Sequence, residues 1–165
     1  RFSGLNGSLI PSSWDYRHLI SSTLGYKFKR NWQLGLKYRL SGAAPYTPFD
    51  LAASQQNYIL LGTGVLDYTK INTNRLKAFN QLDLRIDKKI NLKKISLDFY
   101  IDIQNATLFK QQSAPTYTFK RTADNTGFET TDGKAIQQDG SNGIPIILDN
   151  NDLSVTPTIG FIVEF

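Results

Sequence analysis

Apolar and polar residues alternate with a period of two in five separate segments of this chain, the pattern of strands with one face unlike the other. From His18 to Phe28, Ile20, Leu24, Tyr26 and Phe28 stand against Ser21, Thr23, Gly25 and Lys27. From Asn31 to Ser41 the alternation is unbroken, with Trp32, Leu34, Leu36, Tyr38 and Leu40 on one side and Gln33, Gly35, Lys37, Arg39 and Ser41 on the other. From Gln81 to Ile90 the apolar set is Leu82, Leu84 and Ile86; from Ile95 to Gln104 it is Ile95, Leu97, Phe99, Ile101 and Ile103. The last segment, Thr158 to Phe165, places Ile159, Phe161, Val163 and Phe165 opposite Thr158, Gly160 and Glu164, with Ile162 as the one exception. Helical periodicity is nowhere comparably strong, so the expected class is all-β and antiparallel.

The connections alternate between very short and very long. Lys29-Arg30 joins the first pair of strands and Asn91 to Lys94 joins the third and fourth, whereas Gly42 to Asn80 and Ala106 to Leu153 are long and rich in Gly, Asn, Thr and Asp. Structureless loops of more than about 15 residues are uncommon in compact soluble domains. Outer-membrane barrels, by contrast, pair short periplasmic turns with long extracellular loops, on strands of about 9–11 residues. Phe28, Trp32 and Phe165 fall at the short-turn ends of their strands, and Trp14 and Tyr16 at the opposite end, as interfacial aromatic girdles would.

Charge sharpens this picture. Lys37, Arg39, Asp83, Arg85, Asp87, Asp98, Asp102 and Glu164 all occupy the polar side of their strands. A basic residue at the lipid-facing midplane of a barrel costs about 2–4 kcal/mol, so in a membrane these side chains must face the lumen. One soluble arrangement fits the same pattern: a sandwich or barrel that buries the aliphatic side and exposes the charges.

Composition removes several classes. Cysteine is absent, which excludes disulfide frameworks, thiolate zinc sites and cysteine nucleophiles. No apolar run approaches the roughly 18 residues of a membrane helix, so a membrane location requires a closed barrel. The net charge of +5 comes from clusters such as Lys27/Lys29/Arg30 and Lys88/Lys89, placed at turns rather than joined into a basic, aromatic-interleaved face, and nucleic acid is not an expected partner. Methionine is also absent, so a segment preceding Arg1 is expected.

Several stretches then resemble the C-terminal part of TonB-dependent outer-membrane receptors. They are Trp14-Asp15-Tyr16-Arg17-His18, Ser41 to Pro48 (SGAAPYTP), Leu82 to Lys89 (LDLRIDKK), Tyr100 to Ala106 (YIDIQNA) and the final strand from Pro157 to Phe165. The terminal strand also resembles the signal read by the barrel-assembly machinery, carried by Thr158, Gly160, Val163 and Phe165. The resemblance implies a transmembrane antiparallel β-barrel segment, residues 1–165 supplying about five C-terminal strands of a barrel of about 22. It carries no plug domain, so the chain is read as a C-terminal fragment or as one chain of a split barrel.

The implied function is import of a nutrient such as a siderophore, glycan or peptide across the Gram-negative outer membrane, with the loops at the cell surface. Implied partners are the rest of the barrel and its plug, the TonB energy-coupling complex acting through a missing N-terminal part, the barrel-assembly machinery and outer-membrane lipid, with room for a surface lipoprotein. Lys37, Arg39, Asp83, Arg85, Asp87, Asp98 and Asp102 would face the lumen and plug, and Tyr46, Phe49, Tyr58, Tyr117 and Phe119 are the loop aromatics for substrate contact.

Enzymatic chemistry is not expected, nor any catalytic residue, cofactor or metal. Asp83/Asp87 and Asp98/Asp102 could bring four carboxylates together as in glycosidases, but Arg85 between the first two favours ion pairing. His18 is the only histidine, and is expected at the membrane interface. The acidic loop with Asp124, Asn125, Asp132, Asp139, Asp149, Asn150, Asn151 and Asp152 has oxygen ligands suited to calcium but lacks EF-hand spacing. Gly62-Thr63-Gly64 and Gly140 to Gly143 suit turns rather than phosphate loops. Two other readings fit the pattern: a small complete outer-membrane barrel with a structural or adhesive role, with extra strands near 57–68 and 115–121, and a soluble β-sandwich hydrolase.

Overall fold

The computed structural model describes residues 2–4 and 7–165. In chain order its strands and helix are β1 (Phe2–Ser3), β2 (Leu9–Ile10), β3 (Leu19–Phe28), β4 (Trp32–Ser41), β5 (Pro45–Tyr46), α1 (Leu51–Leu61), β6 (Asn74–Arg75), β7 (Phe79–Asn91), β8 (Ser96–Gln104), β9 (Gln111–Phe119), β10 (Pro145–Asp152) and β11 (Thr156–Glu164). Strand makes up 51% of the chain against one short helix, which puts it in the all-β class with antiparallel sheets. The chain divides into two compact units. A loop unit comprises Arg1–Asp15, Ala44–Leu76 and Gln112–Asn151; a sheet unit comprises Tyr16–Ala43, Lys77–Gln111 and Asp152–Phe165.

The sheet unit is one five-stranded antiparallel sheet in the order β11-β8-β7-β4-β3, built from the five alternating segments of the sequence. At the β3–β4 turn Arg30 and Asn31 both adopt left-handed backbone angles, with φ of 62° and 59°, which lets the chain reverse over three residues. The β7–β8 turn is closed by Leu92 N–H donating to the Ile95 carbonyl at 2.9 Å. Strand β7 starts at Phe79, earlier than its alternation begins, because Phe79, Asn80 and Gln81 pair with Ser41, Leu40 and Arg39. Strand β11 begins at Thr156 and ends at Glu164, so Phe165 lies just beyond the last paired residue.

Register aligns like with like across all five strands. Tyr26, Leu34, Ile86, Ile101 and Ile159 form one row across the apolar face, and Phe28, Trp32, Lys88, Phe99 and Phe161 form the next row toward the short turns. This face is uncovered: Leu24 is 65% exposed, Phe161 66% and Ile159 80%. Nothing among the described residues covers these side chains. Lys88 is the cation in the aromatic row. Its ammonium reaches the Arg30 carbonyl at 2.5 Å and lies 5.1 Å from the Trp32 ring, so its stem covers apolar surface while the charge sits at the turn.

The sheet does not close. Strand β3 pairs with β4 and β11 with β8, and among the described residues neither has a second partner. The described residues thus form no closed barrel. Of the extra strands expected for a small barrel, residues 57–68 contain the end of α1, and residues 115–119 fall in β9, which pairs with β10 in a separate two-stranded sheet.

The long connections are also ordered rather than structureless. Helix α1 is a departure from the strand-only expectation. The Asp50 carboxylate caps it by accepting from Ala53 N–H at 3.0 Å, and Gly62, at φ 68°, ends it by donating its N–H to the Tyr58 carbonyl at 2.7 Å. Its apolar residues are spread around the helix instead of along one stripe, which is why periodicity gave no sign of it. Tyr58 from the helix packs with Tyr117 and Phe119 from β9 in a core that also takes in Phe49, Ile59, Phe128 and Ile136.

Candidate functional site: the charged face of the sheet

Alternation sends Lys37, Arg39, Asp83, Arg85, Asp87, Asp98 and Asp102 to the face of the sheet opposite the aliphatic rows. Register then decides which charges meet. Lys37 lies across from Asp83, Arg85 from Asp102, and Lys89 from Asp98. Each of the four aspartates therefore lies among cations, and among the described residues no group of three or more His, Asp or Glu could hold a metal. Opposite charges thus lie across from one another on neighbouring strands, the arrangement in which cross-strand pairs stabilise a sheet face.

Asp83 is the most fully used anion. It accepts from Arg39 Nη2 at 3.1 Å, from Gln81 Nε2 at 2.6 Å and from the backbone N–H of Asn105 at 3.0 Å. Arg85 forks onto Asp87, with Nη2 and Nε donating to Oδ1 at 2.7 and 2.9 Å, and its guanidinium carbon lies 4.2 Å from the centre of the Tyr100 ring. Lys89 bonds Glu164 on β11, leaving Asp98 Oδ1 buried without a hydrogen bond although Asp98 is its cross-strand neighbour. Arg39 Nε is likewise buried and unbonded. Such atoms carry a desolvation cost of about 1–3 kcal/mol each until a partner arrives.

Gly25 and Gly35 are cross-strand neighbours on the same face, in register with Arg85. Over Gly35 a groove of about 280 Å³ opens, whose polar lining includes Thr23, Lys37, Asp83, Arg85, Asp102 and Gln104. Lys27 and Lys37 flank the two glycines on the β3–β4 side, whereas Asp98, Asp102 and Glu164 lie on the β8–β11 side. The face is thus cationic toward one edge and anionic toward the other.

Of the four residues that resemble an assembly signal, Thr158, Gly160 and Val163 lie on β11 and Phe165 follows it. Thr158 lies opposite Asp102, Val163 opposite Leu97 on the aliphatic face, and Phe165 is fully exposed past the strand end. Gly160 lies opposite Tyr100, and a Cβ at that position would come within 2.5 Å of the tyrosine Oη and 2.6 Å of Cζ. The glycine is therefore a socket for a ring whose other contact is Arg85.

The loop aromatics require a correction. Tyr117 is 1% exposed, Phe119 0% and Tyr58 8%, so these three hold the loop unit together and present no face to a substrate. Phe49 packs against the same core, its ring 5.9 Å from that of Tyr117. Tyr46, on β5, is partly exposed, with Asn74 donating to its hydroxyl at 3.5 Å. The reason is burial: a loop this long gathers its own aromatics before it can offer them outward. A cap at Asp50 followed by Gly62 was the available sign of a folded loop.

The acidic loop uses its carboxylates locally. Asp124 is held at a pKa of about 2 by the Thr122 hydroxyl and then by the Thr126 hydroxyl, which donate at 2.6 and 2.8 Å. Asp132 is lowered by the backbone N–H of Lys134 and the Asn142 amide, and Asp139 by the N–H and hydroxyl of Ser141. These oxygens close turns. His18 lies in the sheet unit just before β3, where its carbonyl accepts from Gly42 N–H at 2.9 Å. Comparison with protein-family models, with curated proteins and with solved structures finds no match, so the functional reading rests on the geometry of the two faces and on the sequence resemblance.

Proposed function

We propose that this chain is the C-terminal barrel segment of a TonB-dependent outer-membrane receptor that imports a nutrient. The observation that carries the membrane part is the row Phe28, Trp32, Phe99 and Phe161 across an uncovered aliphatic face, one step from both tight turns. Ten-residue strands such as β3 and β4, rising about 3.3 Å per residue and tilted about 45°, span close to the apolar band of about 25 Å that a barrel presents to lipid. An uncovered face of this extent would be an aggregation hazard in water. The open edges of β3 and β11 support the same reading. Long, unblunted edge strands invite pairing, and neighbouring strands of a larger barrel would satisfy them.

In this reading the charged face lines the lumen. The plug would supply groups for Asp98 Oδ1 and Arg39 Nε and fill the groove over Gly35, while the loop unit lies at the cell surface. Transport itself follows from the resemblance: the plug gates the lumen and the energy-coupling complex supplies work through a part of the receptor outside this chain.

The segment has no cysteine, so single-cysteine nitroxide labels at Leu36, Phe99 and Lys37 can be introduced in the parent receptor. In outer membranes, labels at Leu36 and Phe99 should collide with oxygen and be shielded from a water-soluble nickel chelate, while one at Lys37 should not behave so. Access of the chelate to Leu36 and Phe99 would sink the membrane assignment. Nutrient uptake by the parent receptor should also stop when the energy-coupling complex is deleted; uptake that persists would exclude this transporter class.

A further inference from the structure

At the long-loop end of the charged face, a second cavity of about 160 Å³ lies between the starts of β7 and β11 and the end of β8. Its chemistry differs from that of the rest of the face, because not one of its lining residues ionises. Side-chain amides dominate, with Phe79 and Phe109 meeting edge to face at 6.0 Å between ring centres. Asn105 is committed to structure: its Nδ2 donates to the Phe109 and Ser154 carbonyls, each at 2.9 Å, and its Oδ1 accepts from Phe109 N–H at 3.0 Å. Among the described residues, Asn80, Gln104, Gln111 and Thr156 have no side-chain hydrogen-bond partner.

We infer that this cavity is a subsite for a neutral sugar residue, which, on the receptor reading above, makes an uncharged oligosaccharide the imported substrate. An amide presents a donor and an acceptor side by side, and a sugar hydroxyl is both at once, so Gln104 and Gln111 can each engage a ring hydroxyl from both sides. The C–H face of a pyranose suits the aromatic surface of Phe79 and Phe109. An anionic ligand would lose hydration here and find no counter-charge. A peptide would seek backbone N–H partners, and three beside the cavity are already used: Asn105 N–H bonds Asp83, Ala106 N–H bonds the Leu82 carbonyl, and Phe109 N–H bonds Asn105.

Saturation-transfer NMR on the detergent-purified parent receptor tests this, with maltotriose and cellotriose as sugar probes and an N-acetylated, C-amidated trialanine as the peptide probe. Irradiating aromatic protons should transfer saturation to the pyranose ring protons of a trisaccharide. The Gln104→Leu/Gln111→Leu pair should weaken that binding at least about tenfold, since two hydrogen-bonding groups are lost. Heat-dependent gel mobility establishes that each variant still forms a barrel, and Thr156→Val serves as a second, smaller change. Absence of trisaccharide binding to a properly inserted receptor overturns the sugar subsite, as does trialanine binding in its place or sugar binding that the glutamine variants leave within twofold. In each of those cases the receptor reading survives, because the nitroxide and uptake measurements decide it separately.

Discussion

Phe119→Ala tests whether the long loops fold as a unit. Phe119 is fully buried, with ring centres 4.9 Å from Tyr58, 5.9 Å from Phe128 and 6.1 Å from Tyr117. It also packs where Gly140 and Gly143 leave no room for side chains of their own. Truncating a buried phenylalanine costs about 3–5 kcal/mol, and this core has few other fully buried residues to compensate. The population of open loop should therefore rise between about a hundredfold and a few thousandfold. Trypsin reads that population at Lys120 and Arg121. In the folded loop Lys120 N–H donates to the Ile144 carbonyl and its own carbonyl accepts from Glu129 N–H, both at 2.8 Å, so the peptide is held on both sides until the unit opens. Cleavage at these sites in the purified protein should accelerate by that factor while the strands β4 and β7 stay intact. Tyr58→Phe keeps the ring and loses only the 2.8 Å hydrogen bond to Thr118, worth about 1 kcal/mol, so it should accelerate cleavage by about fivefold. Equal cleavage rates for wild type and Phe119→Ala would refute the claim that these aromatics form a core.

Acid should loosen the loop unit over a defined range. Asp67 and Asp124 have folded pKa values lowered from 3.8 to about 2, Asp67 by the Lys70 ammonium and then the Thr69 hydroxyl, so the stability they lend is complete above about pH 4 and is lost as pH falls toward 2. Near-ultraviolet circular dichroism of the loop tyrosines should stay flat from pH 9 to about 5 and decline below about 4, with a smaller decline in Asp124→Asn; a midpoint near neutrality would refute the assignment. On the sheet, Gly160→Ala should reduce the folded fraction because its Cβ would strike the Tyr100 ring, and Tyr100→Ala in the same chain should restore part of it. Folded fractions from gel mobility that show no coupling between the two sites would mean the ring does not occupy the glycine socket.

The five alternating segments were legible in the sequence because a strand's two-residue period is local: each residue's face follows from its neighbour's. The two tight hairpins were legible for the same reason, since β3–β4 and β7–β8 reverse within a few residues. From these alone came the aliphatic face, the charged face and the position of both turns at one end. Which charges meet was not legible. Asp83 bonds Arg39 across a gap of 44 residues, and Lys89 bonds Glu164 rather than its nearer neighbour Asp98, because pairing depends on side-chain reach as well as on register. The socket between Gly160 and Tyr100 depends on the same long-range register of β11 against β8. In the loops the local signal was weakest. Helix α1 has no apolar stripe, and Tyr58 finds Phe119 from 61 positions away, so only the folded chain shows these aromatics turning inward. Alternation determines which face a residue takes; burial and register, which act between segments distant in the chain, determine what it touches.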